Sequence, residues 1–151
     1  MQLDLALDLL IDRLKIREQD NKPLIHDCVR ERWLVLQPEE MVRQLVVHYL
    51  IDCKGYSRHR ISLERGITVN GLHKRFDLLV YDRQVHPFML VECKSPRVPL
   101  TEATFRQIAA YNQVFQVPYL FVTNGRDSYC CQMNYSEALF TFVAEIPDYP
   151  G

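Results

Sequence analysis

Two apolar runs joined by a short polar loop constrain this chain more than any other feature. They are Arg75-Phe76-Asp77-Leu78-Leu79-Val80-Tyr81 and Phe88-Met89-Leu90-Val91-Glu92-Cys93-Lys94. Runs of this length and composition read as neighbouring β-strands. Side chains alternate faces along a strand. Leu90, Glu92 and Lys94 therefore share one face, with Val91 and Cys93 on the other, and Asp77, Leu79 and Tyr81 share a face of the first strand. A turn centred between Gln84 and Val85 sets Asp77 opposite Glu92, since both lie equally far from that centre. Directly opposed residues have Cβ atoms about 5 Å apart, and two carboxylates that close repel each other. The pairing costs stability unless something cationic lies between the two.

The runs on either side place this hairpin in an α/β sandwich with a mixed sheet. A helix is predicted from Pro38, a residue suited to the first helical position. Glu39 and Glu40 fall in its first turn, where the helix dipole favours anions. Val42, Leu45, Val46, Tyr49 and Leu50 follow at helical spacing, and Gly55 lies past the end. Ile61 to Val69 reads as a strand bulged at Gly66, and Asn70-Gly71 is a strong two-residue hairpin signal. After the central hairpin, Glu102 to Phe115 reads as a helix with Thr101 as its N-cap. Pro118 to Val122 reads as a buried strand, with two more at Tyr129 to Met133 and Ala138 to Val143. Residues 1–36 read as an irregular arm on a core of residues 37–151, one domain in all. Within the arm Leu14-Lys15-Ile16-Arg17 and Pro23-Leu24-Ile25 flank a polar turn and suit a hairpin, and Trp33 to Leu36 suits an extended run.

Composition enters as a set of exclusions. The 151 residues are 48% apolar and 25% charged with a net charge of -1, so phosphate binding would need a local basic patch rather than a global field. Lys54, Arg58, His59, Arg60, Arg65, His73, Lys74 and Arg75 are the candidates. Five cysteines (Cys28, Cys53, Cys93, Cys130 and Cys131) without a C-x-x-C pair argue against a disulfide framework or a ribbon-type zinc site, and are expected reduced and buried. His26, Asp27 and Cys28 adjoin, but nothing supplies distant partners for a metal or nucleophile site. Leu3 to Ile11 is broken by Asp4 and Asp8, and reads as neither signal peptide nor membrane span. The expected location is the cytoplasm.

A hard divalent cation relieves the repulsion between Asp77 and Glu92, since Mg²⁺ takes carboxylate ligands and keeps several waters. Mn²⁺ is the expected substitute. Metal-bound water is nucleophilic near neutral pH, and the same metal stabilises charge building on a phosphate. Lys94 would hold or help deprotonate that water, and Ser95-Pro96 stops the strand just beyond it. A phosphodiester is the natural target. A solvated sheet face or a surface ion pair is the competing account of the three residues. Cys93, on the opposite face from Glu92 and Lys94, is an improbable nucleophile.

Arg75-Phe76-Asp77, Val91-Glu92-Cys93-Lys94-Ser95-Pro96 and Gln107-Ile108-Ala109-Ala110-Tyr111-Asn112 together resemble the D…(E/D)-x-K…Q-x-x-x-Y pattern of PD-(D/E)XK nucleases. More closely the chain resembles the N-terminal nuclease domain of type I restriction enzyme R subunits, in a small stand-alone version. Ile25-His26-Asp27 with Arg30, Gln37 to Gln44, Val117 to Gly125 and Glu145 to Tyr149 extend the resemblance over most of the chain. Phe76 stands where the name-giving proline would be. The resemblance implies a restriction-endonuclease-like sandwich, with a mixed sheet flanked by helices, that hydrolyses DNA. It implies Asp77 and Glu92 as metal ligands, Lys94 as catalytic lysine, and Gln107 with Tyr111 bordering the site. It also implies a further acid from the first helix. Glu39 is favoured because it falls nearer the Val42-Leu45-Val46-Tyr49 face than Glu40 does, and Glu64 is a weaker alternative. No G-x-x-x-x-G-K-[ST] loop occurs, which leaves two expectations: a restriction-system or motor partner chain supplies targeting, or the chain nicks DNA unaided. A non-catalytic DNA- or protein-binding module of the same fold is the rival reading, and a structural subunit of a larger complex is a second.

Overall fold

The structure is a computed structural model and describes residues 1–137 and 139–151. The arm is more ordered than its sequence suggests. A 3-10 helix, Leu7–Arg13, precedes a three-stranded antiparallel sheet of β1 (Ile16–Gln19), β2 (Lys22–Asp27) and β3 (Arg32–Val35). The expected hairpin is there, with Asp20 and Asn21 in the left-handed region between β1 and β2. Helix α1 (Pro38–His48) starts with Pro38 in its first turn, as proline's fixed φ favours. It runs on as one π-helical turn, Tyr49–Cys53, and the chain turns away at Gly55, φ 71.

The central sheet has six strands in sequence order: β4 (Ile61–Val69), β5 (Leu72–Tyr81), β6 (Pro87–Cys93), β7 (Tyr119–Thr123), β8 (Ser128–Asn134) and β9 (Leu139–Phe142). Among the described residues only β6 and β7 pair in parallel; helix α2 (Glu102–Asn112), followed by a 3-10 turn to Phe115, makes the crossover between them. Thr101 caps α2: its hydroxyl accepts from Thr104 N, while the Thr104 hydroxyl accepts from Thr101 N. The Ala138 end of the last predicted strand lies outside the described residues. Among the described residues no helix is long and apolar enough to cross a membrane.

Each sheet face carries its own core. Val42, Val46, Val47 and Leu50 of α1 pack with Leu78, Val80, Met89, Val91 and Phe121, and the arm adds Leu3, Leu7 and Leu10. On the other face Phe105 and Ala109 of α2 pack with Phe76, Leu79, Leu90, Leu120 and Val122. The sheet therefore lies between α1 and α2, each burying an apolar stripe.

The β4–β5 hairpin breaks strict alternation at one level. Ile61 and Leu63 face α1, whereas Ile67 and Val69 face the α2 side. On β5, Leu78 and Val80 face α1, whereas Phe76 joins the α2 cluster. Register is the same above and below the break, Leu63↔Leu78 and Arg65↔Phe76, leaving Glu64 and Asp77 between them. Glu64 sits there at φ 55, in the left-handed region. Each strand thus uses one residue to turn over without slipping. The predicted bulge at Gly66 is absent, because Gly66 pairs in register with Arg75; the irregularity in this region of the sheet lies instead at Val80/Tyr81, between β5 and β6.

Candidate active site

The predicted opposition of Asp77 and Glu92 is present in the backbone. Leu78↔Val91, Leu79↔Leu90 and Val80↔Met89 are paired, so the next step along the ladder sets Asp77 against Glu92. Asp77 Oδ2 accepts from the backbone N–H of Cys93, at 2.7 Å. That brings the carboxylate to the residue between Glu92 and Lys94.

The expected shared face of Asp77, Leu79 and Tyr81 is corrected by the turn-over just described. Asp77 stands at the crossover, so its side chain leaves the Leu79 face and reaches Arg43 of α1, Oδ1 accepting from Nη2 at 2.9 Å. Arg43 also binds Glu40 at 2.7 Å and Glu39 at 3.3 Å. Burial works against its charge, but Glu40 and Asp77 outweigh burial and hold its pKa above the ordinary value. Three carboxylates thus converge on one guanidinium that is only 9% exposed.

Glu92 lies on the α2 side. It is buried, and its Oε1 is ion-paired with Lys74 and accepts from Asn112 Nδ2 at 3.4 Å. The Lys74 ammonium sits 4.9 Å from the Tyr111 ring centre and 5.2 Å from that of Phe76, close enough for cation–π attraction. Lys94 follows the last residue of β6. Its N–H donates to Thr123 O at 2.8 Å, and its half-buried ammonium has no ion pair or hydrogen bond among the described residues. Buried Asn124 braces the loop on either side, donating to Val98 O and accepting from the N–H groups of Arg126 and Asp127. Gln107 and Tyr111 are both exposed on α2.

The first-helix acids fall the other way from the expectation. The Glu39 side chain is 49% exposed and the Glu40 side chain 12%. The reason is that α1 is buried on more than one stripe: every residue from Val42 to Val47 is buried, including Arg43 and Gln44. The arc toward Gln44, which donates to Glu40 at 3.2 Å, is therefore interior. Glu64 binds Arg30 at 2.8 Å and Arg75 at 3.1 Å. Burial raises its pKa, and the two arginines outweigh this and hold it below the usual range. Of the basic residues expected as a patch, Lys54, Arg58, Lys74 and Arg75 are in ion pairs with Asp148, Glu31, Glu92 and Glu64. Burial first, and then Asp77, push the Cys93 thiol well above its ordinary pKa, consistent with an unreactive core thiol. Cys130 and Cys131 are buried too, but Cys28 is half-buried and Cys53 exposed, so burial holds for three of the five.

Arg43 and Asn112 were not foreseen as site residues, and Lys74 was expected only as part of a phosphate-binding patch. Asn112 had a readable signal: with Phe105 and Ala109 it falls on the apolar face of α2, where an amide needs a polar partner. Arg43 lies four and three residues after Glu39 and Glu40, the spacing of helical ion pairs. Lys74 had only a general signal, its basic charge near the hairpin.

In donor chemistry the site suits a hard divalent ion. Asp77, Glu92, Glu39 and Glu40 are carboxylates, and the fully buried Gln44 Oε1 has no hydrogen-bond partner among the described residues. In disposition, Asp77 turns to Arg43 on the α1 side and Glu92 to Lys74 on the α2 side, so the two carboxylates are not brought together; an ion bridging them must displace both cations and draw both side chains to one side of the sheet. Among the described residues no three His, Cys, Asp or Glu side chains already form a metal-holding group.

Residues 38–147 match the family model described as Type I restriction enzyme R protein N terminus (HSDR_N). No curated protein matches the chain. Among solved structures, the chain is similar to a fragment described as an HsdR subunit of a type I restriction enzyme from Vibrio vulnificus YJ016. The TM-score is 0.51, with 19% identity over 74% of this chain. The match takes in 24% of that structure, so the chain spans about a quarter of its length, and at this identity the likeness concerns the fold.

Proposed function

The chain belongs to the type I restriction enzyme R protein N-terminus family, and from that premise we propose that it is a metal-dependent DNA endonuclease domain of the PD-(D/E)XK class. The single observation that carries the reading is the hydrogen bond from Cys93 N–H to Asp77, which ties one acid to the backbone between the other acid and the lysine. Asp77 and Glu92 would hold Mg²⁺ or Mn²⁺, with Glu40, the more buried of the two first-helix acids, in place of the expected Glu39 as the further acid. Such an ion supplies a water acidic enough to attack a phosphodiester near neutral pH.

The chain's own residues have defined parts. Lys94 Nζ, which has no ion pair or hydrogen bond among the described residues, would donate to the attacking water or to a phosphate oxygen. Arg43 and Lys74 neutralise the carboxylates in the free protein and must release them for turnover. Gln107 and Tyr111 present an amide and an aromatic ring on the exposed side of α2, where a strand can be held by hydrogen bonding and stacking. The domain acts in the cytoplasm within a restriction system.

A second reading is favoured by the same two cations. With each acid already ion-paired, the domain binds DNA or a protein partner without turnover. Incubating supercoiled plasmid with Mg²⁺ or Mn²⁺ separates the two. Nicking by the wild type and none by Lys94→Ala supports the nuclease; equal nicking by both, or none by either, rejects it.

A further inference from the structure

A second polar site lies at the other end of α1. Glu39 and His48 are nine residues apart on that helix, or about 14 Å at 1.5 Å per residue. Past His48 the chain and the arm enclose a cavity of about 510 Å³, within the range of small-ligand pockets. Its walls carry Arg13, Lys15, His26, His48 and Arg58 with Glu31, and Asp52 stands behind Arg13 and His48. Arg13 follows from the 3-10 helix, Lys15 and His26 from the β1–β2 hairpin, and His48 from the end of α1.

The groups are arranged rather than scattered. Asp52, on the π-helical turn, accepts from Arg13 at 2.8 Å and lies 3.3 Å from His48 Nδ1, holding both at the wall. His48 and Asp52 are four residues apart where α1 runs into the π-turn, so they share one face of the helix end. Partial burial raises the Asp52 pKa, and the bonds from Arg13 and His48 outweigh it and keep the carboxyl ionised below its usual range. The Trp33 ring packs against His26 at 5.1 Å and fixes that imidazole. Lys15 has no ion pair among the described residues. Arg58 is joined to Glu31 by a 3.3 Å contact between side chains that are 50% and 66% exposed. Exposed pairs of this kind are weak, so Arg58 is readily exchanged to an incoming anion.

We propose that this cavity binds phosphate groups, carried by a free nucleotide or by a nucleic-acid strand. Three permanent cations against two acids, Glu31 on the wall and Asp52 behind it, leave one positive charge beside two imidazoles to meet a phosphate, and arginine forks match its oxygens in shape. Most of the lining lies before residue 38, outside the family-matched span. The site is separate from Asp77 and Glu92, and the proposal stands whether or not the chain cuts DNA.

Fluorescence anisotropy with a labelled single-stranded oligonucleotide, and calorimetry with ATP, test it. Both probes are applied without divalent metal to wild type, Lys15→Ala and Lys15→Glu/Arg58→Glu, with circular dichroism confirming that each variant is folded. The expected result is binding of at least one probe, weakened at least tenfold by the double reversal and less by Lys15→Ala. For the oligonucleotide, the slope of log affinity against log salt should fall by about 0.7 for each phosphate that a variant no longer neutralises. Binding of ATP identifies a nucleotide site, and binding of the oligonucleotide alone identifies a strand site. Failure of both probes to bind wild type, or equal binding by all three proteins, overturns the proposal.

Discussion

Replacing Arg43 with methionine, which keeps an unbranched apolar stem and removes the guanidinium, should destabilise the metal-free protein and be repaired by a divalent ion. Arg43 is buried among Glu40, Asp77 and Glu39, and the first two have side chains only 12% and 21% exposed. Removing one partner from a buried ion pair costs about 3–5 kcal/mol. The lower end applies, because Asp77 keeps its bond from Cys93 N–H and Glu40 keeps its bond from Gln44. With a loss of about 3 kcal/mol and a urea slope of about 2 kcal/mol per molar, the midpoint should fall by about 1.5 M in EDTA. Excess Mn²⁺ should then restore it, since ligand at about a hundred times its dissociation constant adds about 2.7 kcal/mol. The variant should also bind Mn²⁺ more tightly than wild type, where the ion must first displace the guanidinium. Urea melts of both proteins in EDTA and in MnCl₂, followed by circular dichroism, measure each quantity. A midpoint unchanged by the substitution, or a loss that Mn²⁺ leaves untouched, refutes the reasoning.

Three further outcomes are expected. Asp27 is fully buried; burial raises its pKa, but bonds from the Arg30 and Val29 backbone N–H groups and the Arg30 guanidinium lower it further. Its folded pKa lies below the unfolded value, so its contribution is whole above about pH 4 and is lost as pH falls through the folded value. Asp27→Asn should therefore lower stability at neutral pH and flatten the acid limb of a stability–pH curve; an unchanged acid limb contradicts this. Gly125 has φ +90, and an added Cβ would lie 3.2 Å from Val42 Cγ2, so Gly125→Ala should cost about 2 kcal/mol in a thermal melt. Thr101→Ala removes the reciprocal cap of α2 and should cost about 1 kcal/mol by the same measurement.

The backbone was more legible than the side chains. Residue counting alone gave the Asp77–Glu92 register, because a β-ladder advances by whole residues. It did so even though the β5–β6 ladder shifts between Val80 and Tyr81. What counting could not give was the face of Asp77. Alternation fails where β4 and β5 turn over together, and the φ of Glu64 that marks the turn-over is invisible in a glutamate's sequence context. The choice of Glu39 over Glu40 failed for a related reason. Periodicity finds the apolar stripe of a helix, whereas α1 also buries Arg43 and Gln44 on a polar stripe. The arm misled in the opposite sense: Leu3, Leu7 and Leu10 belong to the core, although their spacing is broken by aspartates that stay at the surface.

The most direct test of the central claim is a Mn²⁺ titration by calorimetry of wild type, Asp77→Asn, Glu92→Gln and the double variant. If the two acids complete one site by shedding Arg43 and Lys74, either single substitution abolishes binding and the double adds nothing. Wild type that takes up no Mn²⁺, or single variants that bind it as wild type does, would contradict a shared site across the β5–β6 hairpin.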